Sequence, residues 1–196
     1  ELPNDYAINL ERGKLNSKNS LKVMQISNLN LVIRVCFIFA GYFVLCYKFT
    51  MGNKLIRSIK PSDKEDWQKL YCSYAAFYKV EMNQDILNTV WNWLEDEKHE
   101  LNGLVCEFEE KIVALAHYRR MPSPLRGKNI GFLDDLFVSP DFRGLKIGEK
   151  IISTLKNISS DNGWGLIRWI TRSDNLRAKS LYDKISKKTN WEMYEL

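Results

Sequence analysis

Residues 132–152, FLDDLFVSPDFRGLKIGEKII, constrain the fold most, because they predict a strand, a short turn and a helix in immediate succession. The strand ends at Val138, and Arg143 and Gly144 lead into a helix predicted over residues 144–159. The start of a helix offers unpaired N–H groups and the positive end of its dipole, which together bind phosphates. Without a ligand, the same residues would be an ordinary helix start with two glycines and two solvated bases.

The other segments predict a mixed α/β domain. Ser62 and Glu65 have the spacing of a capping box, which predicts that a helix begins after residues 61–63. The prolines and glycine of residues 121–128 predict a loop, and residues 175–187 predict the last helix. Strands and helices are thus mixed along the chain, and such an order requires a central sheet covered by helices, with a ligand at the strand ends. The remaining predicted elements are a helix at residues 85–94 and strands at 55–60, 104–108, 112–118, 130–138, 166–171 and 191–196.

The first fifty residues differ from the rest. Residues 31–47 form a nearly unbroken apolar run whose length is at the lower limit for crossing a bilayer. Three interpretations stay open for this run: a membrane anchor, a buried element, or sequence upstream of a natural start at Met51. We therefore predict a non-domain extension over residues 1–50 and a domain over residues 51–196.

Composition excludes several functional classes. The net charge is +5, but residues 1–50 hold six basic and three acidic side chains, which leaves only +2 for the remainder. A net charge of +2 gives no basic face for nucleic acid.

The four cysteines form no CxxC pair, and with two histidines they have no metal-ligand spacing. We therefore expect buried, reduced thiols in a cytoplasmic protein. The chain also lacks a GxSxG elbow and a Walker-type phosphate loop.

Two motifs make the chain resemble one family, the GNAT superfamily of N-acetyltransferases. Its acetyl-CoA signature is Arg/Gln-x-x-Gly-x-Gly/Ala, and here Arg143 matches the first position, Gly148 the last, and Lys146 replaces the central glycine. Residues 169–184 resemble the second cofactor motif, Asn-x-x-Ala-x-x-x-Tyr. Within the superfamily, residues 116–138 resemble the diamine (spermidine/spermine) acetyltransferases and the yeast histone/polyamine acetyltransferase group.

The resemblance implies a mostly antiparallel, twisted sheet with splayed middle strands flanked by helices. It implies acetyl-CoA as co-substrate, no metal, and transfer of acetyl to a small cationic amine such as a polyamine or an amino-acid-like acceptor. The alternatives are a protein-lysine acetyltransferase and a silent acetyl-CoA-binding module of the same fold. The expected cofactor-binding residues are Leu136, Phe137, Val138, Arg143, Gly144, Leu145, Lys146, Ile147, Gly148, Asn175, Ala178 and Tyr182.

Tyr182 is the candidate general acid for the departing thiolate. It follows Asn175 by seven residues, almost two helical turns, so both side chains share one face, and Ala178 keeps that face shallow. The general-acid role comes from the resemblance, because periodicity alone favours a packing tyrosine on an amphipathic helix.

The adjacent carboxylates Asp134 and Asp135 are the candidates for handling the amine. Strand alternation predicts that they face opposite sides of the sheet. By resemblance, Asp134 is the candidate base, directly or through water, and Asp135 binds substrate. Tyr118 and Arg119, which lie on the neighbouring predicted strand, are further candidates for the acceptor pocket. The alternative is an acidic pair held by nearby cations. His117 is expected to be a satisfied core histidine, and the predicted edge strand at residues 191–196 favours a homodimer.

Overall fold

The computed structural model describes residues 53–196, so the predictions for residues 1–50 and their apolar run at 31–47 lie outside the described part. Among the described helices, none combines the length and the apolar character needed to cross a membrane. The elements are β1 (Lys54–Ser58), α1 (Lys64–Tyr78), α2 (Gln84–Glu95), β2 (Leu101–Phe108), β3 (Lys111–Ser123), β4 (Lys128–Val138), α3 (Ile147–Asp161), β5 (Ile167–Trp169) and α4 (Leu176–Ile185).

The five strands form one sheet in sequence order. The three pairings among β1 to β4 are antiparallel, and β5 pairs with β4 in parallel. The β4–β5 pairing covers only residues 131–133 with Ile167–Trp169, whereas β4 continues to Val138 paired with β3 alone. The prediction of a mostly antiparallel sheet with splayed middle strands is therefore confirmed.

Helices cover both faces of this sheet. On one face, α1 and α2 bury Trp67 and Trp91 against Leu115 of β3. On the other face, α3 buries Ile151 in a cluster that contains Ala116, the residue that follows Leu115. Consecutive strand residues thus belong to opposite clusters, as the alternation of a strand requires. The sheet is therefore the middle layer of the domain.

Half of the predicted loop at residues 121–128 belongs to strands. β3 runs to Ser123 and pairs with β4 down to the Ser123–Lys128 pair, so only a short 3-10 turn at Pro124–Arg126 and Gly127 connects them. Pro122 is tolerated because β2 pairs with β3 only as far as Arg119, which leaves this part of β3 with one neighbour.

The predicted final strand at residues 191–196 is wrong. This segment has no regular structure, and Trp191 and Tyr194 are 76% and 86% exposed. A strand needs a neighbour to satisfy its backbone groups, and no strand of the described chain pairs with this segment. The homodimer stays a prediction, without the edge strand that suggested it.

The two described cysteines differ in burial. Cys106 is buried and Cys72 is exposed on α1, and both are free thiols. The expectation of buried thiols is therefore wrong for Cys72, because α1 turns this position away from the sheet.

The start of α1 is stabilised by Asp63, whereas a cap by Ser62 was predicted. The Asp63 carboxylate accepts hydrogen bonds from both Nη groups of Arg57 at 2.7 and 2.8 Å and from the Lys60 N–H at 2.8 Å. Arg57 also donates to Glu107 at 2.9 Å, so this cluster ties the helix start to β1 and β2. Hydrogen bonding to the Arg57 guanidinium holds the pKa of the Asp63 carboxyl below its ordinary value.

Replacing Asp63 with asparagine is expected to lower the free energy of unfolding by about 2 kcal/mol at neutral pH, because a buried charged hydrogen-bond pair is lost. A lowered carboxyl pKa contributes stability above its unfolded value of about 3.9, and this contribution disappears as pH falls through the folded value. The difference from the unsubstituted chain should therefore shrink below about pH 4. Urea unfolding followed by tryptophan fluorescence checks this. Asp66→Asn, which removes an exposed pair with Lys69, is the control and should change little.

Candidate active site

A groove of about 440 Å³ lies where β4 and β5 diverge. Leu136, Phe137 and Val138 line one side of it. Here β4 pairs with β3 only, and within the described chain no strand takes its other edge. An extended ligand chain can therefore pair with the free backbone groups of β4 as an added strand does.

The turn at one end of the groove leaves the start of α3 uncapped. α3 begins at Ile147, three residues later than predicted, because Gly144 (φ 86°) and Lys146 (φ 59°) adopt left-handed conformations. The first bond that closes a helical turn runs from the Lys150 N–H to the Lys146 carbonyl, and no side chain caps the helix. The N–H groups of residues 147–149 therefore remain available to an anion beside the groove.

The left-handed conformation of Lys146 gives a physical reason for the glycine expected at this position. A side chain in this conformation costs about 1–2 kcal/mol, which glycine avoids. Lys146 adopts the conformation that glycine favours and lines the groove together with Arg143 and Arg177. The lysine therefore adds positive charge to the groove.

Arg143 closes the splayed end of the sheet. Its Nε donates to the Val138 carbonyl at 3.0 Å, and its guanidinium lies 5.7 Å from the Phe137 ring and 5.8 Å from the Phe77 ring. Burial, followed by the neighbouring charge of Arg177, lowers the pKa of the guanidinium. Arg143 therefore holds the turn against β4 as well as lining the groove.

The opposite wall of the groove comes from α4. Asn175 caps this helix: its side chain accepts from the Ala178 N–H at 3.3 Å and donates to the Tyr78 hydroxyl at 3.4 Å. Tyr182 lines the same groove, with its ring edge-on to Trp169 at 5.3 Å between centroids. Burial, then the nearby Tyr78, raises the pKa of Tyr182 to about 12, so the phenol keeps its proton at neutral pH.

A second cavity of about 430 Å³ lies on the α1–α2 side of β4, and we call it the carboxylate cavity. It is open to solvent and brings together three carboxylates and one guanidinium. Its lining residues are Tyr71, Val90, Trp93, His99, Glu100, Leu101, His117, Arg119, Asp134 and Asp135.

Both Asp134 and Asp135 line this cavity, contrary to the expectation that they face opposite sides. The β3–β4 register pairs His117 with Asp135 and Tyr118 with Leu133, so Asp134 is an extra residue in a β-bulge. A bulge interrupts strand alternation and re-aims side chains, which places the two adjacent carboxylates on one face. Asp134 also lines the groove, and it is therefore the carboxylate at the junction of the two cavities.

Each carboxylate has a different partner. Asp134 accepts from Arg119 Nε at 3.1 and 3.2 Å, whereas Asp135 lies 2.8 Å from Nδ1 of His117. Burial raises the pKa of Asp134, although the Arg119 hydrogen bond lowers it in part. His117 is 1% exposed and its other ring nitrogen accepts from Trp67, which agrees with the expected satisfied core histidine.

Two predicted site residues lie elsewhere. Tyr118 is 7% exposed, belongs to the core cluster beside α3 and packs on Trp164, so it lines neither cavity. Strand alternation explains this position, because Tyr118 points away from its neighbours His117 and Arg119. Leu145 also packs against this core and does not line the groove, although the rest of its turn does.

Several cavity residues were not predicted as site residues. Tyr71 lies on α1, and Trp93, His99 and Glu100 belong to no motif. One sequence signal could have indicated Tyr71: tyrosine recurs on the buried face of α1, and a buried phenol usually needs a hydrogen-bond partner.

Comparisons with known proteins agree with this geometry. The D-amino-acid N-acetyltransferase HPA3 of Saccharomyces cerevisiae is 27% identical over 150 residues, 76% of this chain and 93% of that protein. The thialysine N-epsilon-acetyltransferase of Bos taurus is 35% identical over 71 residues, 36% of this chain and 41% of that protein. The ribosomal-protein-alanine N-acetyltransferase from Brucella melitensis biovar Abortus 2308 has the same fold, with a TM-score of 0.63 at 19% identity over 74% of this chain and 98% of that one.

The family comparison covers the elements that build both cavities. The acetyltransferase (GNAT) family model matches residues 64–186, from the start of α1 to the end of α4. This range is well over half of the chain and includes every residue that lines the groove. The chain therefore belongs to the acetyltransferase (GNAT) family and is an acetyl-CoA-dependent N-acetyltransferase.

Proposed function

We propose that this enzyme acetylates the primary amine of a small acceptor by direct attack while both substrates are bound. Asp134 carries the proposal, because its side chain lines both the groove and the carboxylate cavity. An amine in the carboxylate cavity would then meet a thioester in the groove beside a candidate base. Neither described cysteine lines either cavity, which favours direct attack over transfer through a protein thiol.

The groove fits the chemistry of acetyl-CoA, which supplies an activated acetyl thioester when bound. The edge of β4 that faces the groove would pair with the pantetheine amides through the backbone of residues 136–138, except at the Val138 carbonyl, which accepts from Arg143. The uncapped start of α3 and the charges of Arg143, Lys146 and Arg177 would hold the pyrophosphate. Asn175 and Ala178 would form the shallow wall along the pantetheine arm.

The proposed acid and base occupy suitable positions. Asp134 would accept the proton of the attacking amine, directly or through water, and the burial that raises its pKa makes it a better base near neutral pH. Tyr182 would donate its proton to the departing thiolate.

The charges of the carboxylate cavity favour an acceptor with both an amine and a carboxylate. Glu100, Asp134 and Asp135 suit a cation, whereas Arg119 donates to Asp134 only through Nε. The Nη groups of Arg119 have no hydrogen bond within the described chain, so they can take the acceptor's carboxylate. Two relatives, the yeast D-amino-acid N-acetyltransferase and the bovine thialysine N-epsilon-acetyltransferase, support an amino-acid-like acceptor over a polyamine.

Thiol release from acetyl-CoA, measured on the full chain with matched acceptor pairs, tests this proposal. Each pair is an amino acid and its decarboxylated amine: D- or L-lysine with cadaverine, and D- or L-tyrosine with tyramine. We expect kcat/KM to be roughly tenfold to a hundredfold higher for the amino acids, because a guanidinium–carboxylate pair provides about 1.5–3 kcal/mol. Arg119→Gln should remove this preference. The matched control is Arg120→Gln, which removes an exposed arginine outside both cavities.

The other outcomes are distinct. Equal turnover of both members of each pair would reject the amino-acid-like acceptor, and spermidine, thialysine and a histone-tail peptide in the same assay would show which amine replaces it. Absence of turnover with every acceptor, while acetyl-CoA still raises the melting temperature, would indicate an acetyl-CoA-binding module without catalysis.

A further inference from the structure

Three side chains form a hydrogen-bonded chain from the core to the carboxylate cavity. Trp67 Nε1 donates to His117 Nε2 at 2.9 Å, and His117 Nδ1 lies 2.8 Å from Asp135 Oδ2. Trp67 and His117 are each 1% exposed, whereas the Asp135 side chain, at 21%, reaches the cavity. The chain of contacts therefore runs from a fully buried indole to a carboxylate that a ligand can touch.

The indole determines which nitrogen of His117 carries the proton. An indole N–H only donates, so Nε2 must be the unprotonated, accepting nitrogen. The imidazole proton is then on Nδ1, where it donates to Asp135. The Tyr71 hydroxyl lies 3.5 Å from the same oxygen, which is the long limit of a hydrogen bond, and the Tyr74 hydroxyl is also directed at Asp135. The tyrosine donors are neutral groups.

We propose that Trp67 and His117 are positioning residues that hold Asp135 as an uncompensated carboxylate, which anchors the ammonium of the acceptor. This inference rests on the proposed function and assigns the two carboxylates different tasks. Asp134 is already paired with Arg119, whereas Asp135 is oriented by neutral donors and keeps its charge for a ligand. A partly buried carboxylate without a cation costs desolvation energy, which an incoming ammonium offsets.

The indole matters because an imidazole with a free Nε2 can accept a second proton. The resulting imidazolium would neutralise Asp135 from inside the protein and compete with the acceptor's ammonium. Trp67 occupies Nε2 with a donor and so prevents this. The titratable and charged groups that face His117 are Tyr71 and Tyr74 from α1, Asp134 and Asp135 from β4, and Arg119, His99 and Glu100 around the cavity.

Trp67→Phe tests the role of the indole through the pH dependence of KM. We expect the acceptor KM of this variant to rise about tenfold as the pH is lowered from about 8 to about 6. This rise is counted beyond any change that the unsubstituted enzyme shows over the same pH range. Trp91→Phe is the matched control, because Trp91 is equally buried in the same aromatic cluster and has no contact with His117. The control should lose similar stability without the pH effect. Identical pH profiles for the two variants would overturn the proposal.

Substitutions at His117 test the donor to Asp135. The amide of His117→Asn can replace the Nδ1 donor, whereas His117→Leu cannot. We expect His117→Leu to raise the acceptor KM roughly tenfold to a hundredfold with a smaller change in kcat, since a hydrogen bond to a charged group is lost. His117→Asn should retain most of the affinity. Equal loss in both variants would contradict a positioning role.

The protonation state itself can be measured without turnover. In 15N spectra of the imidazole rings, with His99→Gln to assign the two histidines, His117 should show a protonated Nδ1 and an unprotonated Nε2. A proton on Nε2 would overturn the inference. This readout is independent of activity, so it separates failure of the inference from failure of the proposed function.

Discussion

Tyr182→Phe is expected to lower kcat by about a hundredfold to ten-thousandfold, the contribution typical of a positioned general acid. The substitution removes only the phenol oxygen, and the phenylalanine ring keeps the contact with Trp169. Burial raises the pKa of Tyr182 to about 12, so the residue is protonated and able to donate throughout the physiological pH range. The expected signature is a loss in kcat with the affinity for acetyl-CoA almost unchanged, measured by steady-state thiol release and by calorimetry.

The control for this substitution is Tyr118→Phe. It removes the same atom from another buried tyrosine, but Tyr118 packs in the core beside Trp164 and lines neither cavity. Its kcat should stay within about twofold of the unsubstituted enzyme, since surrounding packing is conserved. If Tyr182→Phe behaved in the same way, the tyrosine would be a packing residue and the thiolate would receive its proton from elsewhere.

The groove was largely predictable from the sequence because its residues come from short, contiguous segments. Arg143 to Gly148 belong to one strand–turn–helix unit, and Asn175 and Tyr182 belong to one face of one helix, so each group can be recognised from a local pattern. The family resemblance assigned both groups to one cofactor, whereas the contribution of α1 to the groove depends on packing. The error of three residues at the start of α3 arose because Lys146 has no glycine signature for its left-handed conformation.

The carboxylate cavity was less predictable because it depends on contacts between distant segments. Tyr71, Glu100 and Asp135 come from α1, the segment before β2, and β4, and only the packing of helices on the sheet unites them. The shared orientation of Asp134 and Asp135 depends on a bulge, which strand alternation alone cannot reveal. The hydrogen bond between Trp67 and His117 likewise joins residues fifty positions apart.

Asp134→Asn should reduce kcat by about a hundredfold to ten-thousandfold, because asparagine keeps the shape of the side chain but cannot accept a proton from the amine. The role of Asp134 as a base also predicts how kcat depends on pH. A base must lose its own proton first, so kcat of the unsubstituted enzyme should rise with pH through the raised pKa of Asp134. In Asp134→Asn, the part of the rise in kcat that comes from deprotonation of the Asp134 carboxyl should be absent.

Arg119→Gln distinguishes the base from a merely structural ion pair. Its hydrogen bond to Asp134 lowers the pKa of that carboxyl, so its removal should move the rise in kcat to higher pH while the base remains present. Cadaverine at saturation is the suitable acceptor, because it carries no carboxylate for Arg119 to bind and kcat then reports the groups of the bound complex. A rise at the same pH in Arg119→Gln would mean that another group, such as a water or the acceptor amine itself, determines the profile, and Asp134 would then act only as an electrostatic partner of Arg119.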